Sequence, residues 1–333
     1  MLAAQLAYVT LIVSDSDAAA TVLQRDFGLT RSECTLGASG SRVPVLHVGD
    51  SALVLVEPRD PFVQEDAYLG VHHIALGVAD VSAAANVAVT AGVAIAEPAT
   101  ADGVNGGLRL CLDPVATAGV KTHVVECAGF DTAAAHGDDP PLAGGMRISH
   151  QQTRRHMVQR LDHIGVASAD NAMAIDTFAN RLGFAVESTQ TDTEVQIAVE
   201  SFTSDKYGVV YHNRPAEPVG GLRVAFITIG DCELEFLQDF DPRPETHVAH
   251  GQAGTTRQDR GAIARYVSSR GPGLHHLAFK VSDADSALEA LQEAGHTLID
   301  TVGRPGSRRS HIGFVHPKSL YGVLLHVVQR DEV

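Results

Sequence analysis

The sequence predicts an α+β protein built from four βαβββ modules, paired into two domains with cupped, mixed sheets. Two observations carry that expectation. One pattern recurs four times along the 333 residues: an alternating apolar strand, a short Asp/Ser turn and an Ala-rich helix closing at glycine. The ends of the second and fourth copies also match, DPVATAGVKTHVVEC from Asp113 against HPKSLYGVLLHVVQR from His316.

The first copy is AYVTLIVSDSDAAATVLQRDFGL from Ala7. The apolar stretch that leads into it lacks a basic n-region and alternates like a strand, so it reads as the first strand and not as a signal peptide. The second copy is VHHIALGVADVSAAANVAVTAGV from Val71, and the third is LDHIGVASADNAMAIDTFANRLGF from Leu161. The fourth is LHHLAFKVSDADSALEALQEAGH from Leu274. In that copy Asp283 is the expected helix N-cap, Ala287, Leu288, Leu291 and Ala294 form the buried stripe, and Gly295 supplies the left-handed end.

Three strand-like runs follow each helix, separated by Gly, Asp or Pro turns. In the fourth copy they are TLIDTV, HIGFVHP and GVLLHVVQ; in the third, LRVAFITIG and CELEFLQ form the clearest pair. One such sheet is too small and one-sided to stand alone, which is why modules are expected to pair with their neighbours. The expected division is 1–130 for the N-terminal domain, 131–159 for a linker rich in Gly, Asp, Pro and Arg, and 160–333 for the C-terminal domain.

Composition narrows the function. Hydrophobic residues are 44% and charged residues 20%, a globular balance. A formal charge of -15 argues against a nucleic-acid or anionic-membrane partner, which would need clustered Lys and Arg. No apolar run reaches the length of a membrane span. Cys34, Cys111, Cys127 and Cys232 are scattered without CxxC spacing, as in a reduced, cytoplasmic protein.

Chemistry concentrates at positions equivalent in every copy, one on the first strand and one on the last. In the third and fourth copies they hold His163 and Glu235, then His276 and His326. Strand alternation puts His163 on one face with Leu161, Gly165 and Ala167, and Glu235 on one face with Glu233. A lone strand histidine is ordinary. Four metal-competent side chains at repeat-equivalent positions, converging where two modules meet, suit a borderline divalent ion such as Zn, Ni, Co, Mn or Fe. The equivalent N-terminal positions are Tyr8, Val54, His73 and His123, which leaves two histidines, too few for a tight site. That half reads as structural or dimer-forming.

The stretches LDHIGVAS, VAFITIGDCELEFLQ, GPGLHHLAFKV and GRPGSRRSHIGFVHPKSLYGVLLHVVQ resemble methylmalonyl-CoA epimerase of the vicinal-oxygen-chelate (glyoxalase/dioxygenase) superfamily. The resemblance implies metal ligands at His163, Glu235, His276 and His326. Two departures matter. The family's last ligand is ordinarily glutamate, and exchanging it for His326 raises the site's charge and favours nitrogen-loving ions. The family's second catalytic carboxylate has no identifiable counterpart, and the doubled chain is unlike its single-domain members. The two-domain form also resembles cyclitol-ketone epimerases such as 2-epi-5-epi-valiolone epimerase of aminocyclitol biosynthesis, in secondary metabolism.

The implied activity is a metal-dependent epimerase (isomerase) that abstracts a proton next to a chelated carbonyl, through an enolate. The substrate is a small molecule with adjacent oxygens, a cyclitol ketone or an acyl-CoA. Acid–base candidates are His275, His311, Glu194, Tyr211 and His212, and Arg304, Arg308 and Arg309 are candidates for holding an anionic group. Two alternatives stand beside it: an Fe(II) dioxygenase of the extradiol or hydroxyphenylpyruvate type, and a non-catalytic binding or resistance protein on the same fold. A homodimer is a further expectation.

Overall fold

Residues 1–63, 68–126, 157–197, 199–206, 208–213, 216–241 and 260–331 are described in the computed structural model. The first module is β1 (Gln5–Ile12), α1 (Ser16–Phe27), β2 (Thr30–Thr35), β3 (Arg42–Val48) and β4 (Ser51–Val56). The second is β5 (Gly70–Val78), α2 (Val81–Thr90), β6 (Ile95–Thr100), β7 (Arg109–Leu112) and β8 (Thr122–Glu126). The third opens with β9 (Val158–Ala167) and α3 (Asn171–Ile175), which runs on as a π-helical turn, Asp176–Arg181. It continues with β10 (Ala185–Gln196), β11 (Val199–Ser204), β12 (Gly208–Asn213), β13 (Glu217–Ile229) and β14 (Cys232–Phe240). Helix α4 (Arg260–Arg270) precedes the fourth module, β15 (Gly273–Val281), α5 (Ala284–Glu293), β16 (Arg304–Pro305), β17 (His311–Val315) and β18 (Leu325–Gln329).

The helices start where the repeated turn aspartates stand. Asp15, Asp80, Asp170 and Asp283 each sit in extended backbone and accept a hydrogen bond from an amide of the first turn, at 2.9, 3.0, 2.9 and 2.7 Å. Ala287, Leu288 and Leu291 are buried as the stripe predicts, and Gly295 adopts φ 90° beyond the end of α5.

Modules pair through their first strands. One eight-stranded sheet runs β2-β3-β4-β1-β5-β8-β7-β6, the other β10-β13-β14-β9-β15-β18-β17-β16. The central pairs β1·β5 and β9·β15 are antiparallel, whereas β1·β4, β5·β8, β9·β14 and β15·β18 are parallel, so both sheets are mixed. The registers confirm the internal repeat: Thr10 faces Val54 as Gly165 faces Glu235, and Ala75 faces His123 as Ala278 faces His326.

The structure differs from the sequence expectation in four places. TLIDTV forms no strand; Leu298 makes a single bridge to Val315 before the short β16. The third module carries an extra hairpin, β11 on β12. Helix α4 was not anticipated. Leu161 does not share the face of His163, because β9 is bulged against β15 between Leu161 and His163, and Leu161 joins Ile164 and Val166 on the helix side. The expected linker lies mostly outside the described residues.

One continuous core joins the helix-bearing faces of both sheets, from Leu23 and Phe27 of α1 to Phe279 of β15 and Leu288 of α5. Phe27 and Phe279 meet edge to face at 5.7 Å, and Asp26 accepts from His296 at 2.9 Å beside them. The opposite, cupped faces carry separate clusters. Among the described residues no helix is long and apolar enough to cross a membrane. Cys34, Cys111 and Cys232 are free and buried, and Cys127 lies outside the described residues.

Candidate metal centre

The second cup gathers His163 from β9, Glu235 from β14, His276 from β15 and His326 from β18. All four are buried. The three histidines offer ligand atoms within 4.8 Å of one another, with Glu235 closing on two of them. His163 Nε2 lies 3.0 Å from His326 Nε2 and 3.2 Å from Glu235 Oε2, while His276 Nε2 lies 3.6 Å from the same oxygen.

Bulges aim these side chains. Each module's first strand shifts register at the residue before the site position: Ala7, His72, Asp162 and His275. Such an extra residue rotates the strand locally and re-aims the next side chain. In the second cup the bulged residues then touch the side chains they precede. Asp162 Oδ1 lies 2.7 Å from His163 Nδ1, and His275 Nδ1 lies 3.1 Å from His276 Nδ1. Gly165 completes the arrangement, because the ring of His276 occupies the space a Cβ would take.

The electrostatics follow from burial and pairing. Burial opposes a charge on His163, but Glu235 and Asp162 overcome it and hold the ring's pKa up to about 10. Burial would likewise raise Glu235, and His163 and His276 hold it well below the usual carboxylate range. His276 and His326 are lowered by burial, His326 further by its histidine neighbours. Burial, then His276 and Arg270, push His275 down to about 3.

A divalent ion fits this donor set. His276 Nε2 and His326 Nδ1 are buried without a hydrogen-bond partner, an expensive state for polar atoms. Three imidazoles and one carboxylate are donors for a borderline cation.

The cluster opens into a cavity of about 640 Å³, walled by Phe226 and Phe314, by Ile263 and Arg265 of α4, and by Asp300, Arg304, Arg308 and Arg330. Arg308 is held rigidly: it stacks on Phe226 at 3.6 Å and forks onto Glu233 at 2.6 and 3.0 Å. Arg308 and Arg309 sit consecutively at φ 54° and 57°, left-handed backbone that non-glycine residues seldom adopt.

Of the four acid–base candidates whose side chains are described, the structure brings His275 alone to this cavity. His311 packs outside the lining, its Nε2 3.1 Å from Asp285 on α5. Tyr211 is 71% exposed on the β11–β12 hairpin, and the side chain of His212 lies outside the described residues. Glu194 is half-buried on the edge strand β10, away from the lining. Arg304 and Arg308 line the cavity, whereas Arg309 is exposed. Sequence reasoning missed Asp162, Asp300, Arg330 and the α4 cover. The apolar spacing of Ile263, Tyr266 and Val267 was a signal for that helix.

The N-terminal cup is filled instead. His73 Nε2 meets Thr10 Oγ1 at 3.0 Å and His73 Nδ1 meets His72 at 2.7 Å, so both ring nitrogens are engaged. Thr10 stands where the other sheet has Gly165. Phe62 packs on His73 and His123 at 5.5 and 6.1 Å, and Val54 is fully buried.

Paired βαβββ modules around a buried, metal-competent cluster define a class of proteins built on two cupped sheets. The chain belongs to the Glyoxalase/Bleomycin resistance protein/Dioxygenase superfamily, whose family profiles match residues 162–314 and 5–116. It is 24% identical over 176 residues to an ethylmalonyl-CoA/methylmalonyl-CoA epimerase of Cereibacter sphaeroides, covering 52% of this chain and 99% of that protein. It is also 24% identical over 131 residues to the mitochondrial methylmalonyl-CoA epimerase of Dictyostelium discoideum, covering 38% and 69% respectively. A triple mutant of 4-hydroxymandelate synthase from Streptomyces coelicolor superposes on 100% of this chain and 94% of its own, with TM-score 0.62 and 16% identity. That likeness is one of fold.

Proposed function

We propose that the chain is a metal-dependent epimerase whose C-terminal cup moves a proton at the carbon next to a carbonyl. The observation that carries this reading is the buried cluster of His163, Glu235, His276 and His326 in the lining of one cavity. The similarity of about half of the chain to methylmalonyl-CoA epimerases supports it. These four side chains would hold the ion, which when bound supplies a Lewis acid that polarises a carbonyl.

The chain's own residues do the rest. Phe226, Phe314 and Ile263 give the cavity an apolar wall, which would strengthen polar interactions with a bound substrate. Epimerisation needs two proton-transfer groups. Among the described residues, the titratable groups lining the cavity besides arginines and the four cluster side chains are His275 and Asp300. His275 Nδ1 faces His276, so Nε2 is the nitrogen that would exchange a proton with substrate, from a ring that burial keeps uncharged near neutral pH. Asp300 accepts from Arg304 Nε at 3.1 Å and from the Phe314 amide at 3.0 Å, which fixes its carboxylate beside the cavity. The volume suits a compact substrate with adjacent oxygens, a cyclitol ketone or the acyl end of an acyl-CoA.

Two measurements test the reading. Elemental analysis of the purified protein is expected to find stoichiometric divalent metal, and His326→Ala to lose most of it; a metal-free parent would sink the proposal. Candidate ketones and thioesters are then followed by NMR in deuterated water without oxygen. Exchange at the α-carbon, reduced at least tenfold in Asp300→Asn or His275→Gln, is the expected result. Turnover strictly dependent on oxygen would establish a dioxygenase instead.

A further inference from the structure

We propose that Asp162, the bulged residue of β9, is the positioning group that fixes the ring of His163 and thereby sets the affinity of the metal site. The inference rests on the reading of His163 as a ligand.

Asp162 is completely buried, next to a candidate ligand and inside a sheet. A carboxylate in such a place is costly unless its charge has partners. It has two. Oδ1 lies 2.7 Å from His163 Nδ1. Oδ2 makes an ion-pair contact with Arg330 at 3.1 Å, without hydrogen-bond alignment, and Arg160 lies at 3.9 Å.

The arrangement determines which nitrogen of His163 faces the cluster. With Nδ1 held by the carboxylate, Nε2 points toward Glu235 and His326. A buried carboxylate on the far nitrogen of a ligating imidazole restricts ring rotation, selects the tautomer and raises the basicity of the near nitrogen. The bulge is what makes the contact possible, since adjacent residues of a regular strand point to opposite faces.

Asp162 is also tied to the cavity wall. Arg330 reaches Glu233 at 3.0 Å, and Glu233 is the carboxylate onto which Arg308 forks. A continuous run of charged contacts therefore links His163 to the guanidinium that stacks on Phe226. The repeat supplies an internal control: the equivalent N-terminal bulge carries Ala7, and the cup there is filled by side chains.

The test compares the parent with Asp162→Asn and Asp162→Ala. Metal affinity is read by competition with a chromogenic chelator, and the His163 Nδ1–H proton by NMR in the metal-free protein. Asp162→Ala is expected to weaken zinc binding by about 10–100-fold, with Asp162→Asn between it and the parent. The Nδ1–H resonance, far downfield in the parent, is expected to move upfield in Asp162→Asn and to broaden or vanish in Asp162→Ala. Should Asp162→Ala not fold, the isosteric Asp162→Asn and Arg330→Gln, which strips the carboxylate of its cation, carry the comparison.

Unchanged affinity together with an unchanged resonance in folded Asp162→Asn would overturn the proposal. A parent that binds no metal would instead remove the functional reading, and the resonance would still report whether Asp162 holds the ring.

Discussion

Gly165 shows how far a site can depend on a side chain that is absent. The His276 ring lies where its Cβ would be, so Gly165→Ala must push the ring off the cluster. We expect a cost of about 1–3 kcal/mol from overpacking, read as a shift in the denaturation midpoint, together with loss of bound metal. Asp26 is a second residue whose surroundings decide its behaviour. Burial alone would raise its carboxyl, but hydrogen bonds from Arg25 and His296 hold it below the usual carboxylate value. A folded-state pKa that is depressed contributes stability above the unfolded value, about 3.9, and loses it as the pH falls through the folded value. Asp26→Asn is therefore expected to cost about 1.5–3 kcal/mol at pH 7, with the gap to the parent narrowing below about pH 4. A gap independent of pH in denaturant titrations would show that the charge contributes nothing.

At the scale of elements, the repeated Asp turn is a set of N-caps, and each can be removed alone. Asp283→Ala is expected to lower stability by about 0.5–2 kcal/mol through α5, leaving metal content unchanged. The helices and the parallel first-to-last strand pairs follow the repeat closely, since caps, stripes and alternation are local properties. The bulges are not local. Each comes from fitting one module's first strand against its partner's, and it reverses the parity on which alternation relies. This is why Leu161 falls on the helix side and why Asp162 can touch His163. TLIDTV reads as a strand but lies against β17 with a single bridge, Leu298 to Val315, because the Ile299 and Asp300 amides both turn to the Phe314 carbonyl and break the ladder.

At the scale of the molecule, the two sheets share one core instead of owning one each. Unfolding is therefore expected as a single cooperative transition, with near-UV and far-UV signals coincident in denaturant. Phe27→Ala, at the contact with Phe279, is expected to destabilise the whole by about 3–5 kcal/mol. Two separated transitions would show the halves to be independent. The same architecture points the two cups away from the shared core, one opening into the cavity beside His163 and the other packed with Phe62 and its neighbours.

The four metal-competent residues with which the chain was first distinguished were legible without coordinates. Repeat-equivalent positions on first and last strands are tied together by parallel register, so matching the copies amounts to matching the sites. Fold class and module pairing were legible for the same reason. Of the cavity's other polar lining, His275 was legible but Asp300 and Arg330 were not, because which loops and helices cover a cup depends on contacts between segments far apart in sequence. Those contacts bring Asp300, Arg330 and α4 to the cavity and leave His311 and Tyr211 outside it. Sequence alone determined the repeat, the caps and the set of metal-competent side chains that converge in the second cup, all written in short-range pattern. The tertiary structure decided which cup stays open, since Gly165 and Thr10 differ little as sequence yet one makes room for a ring and the other ties a ring down.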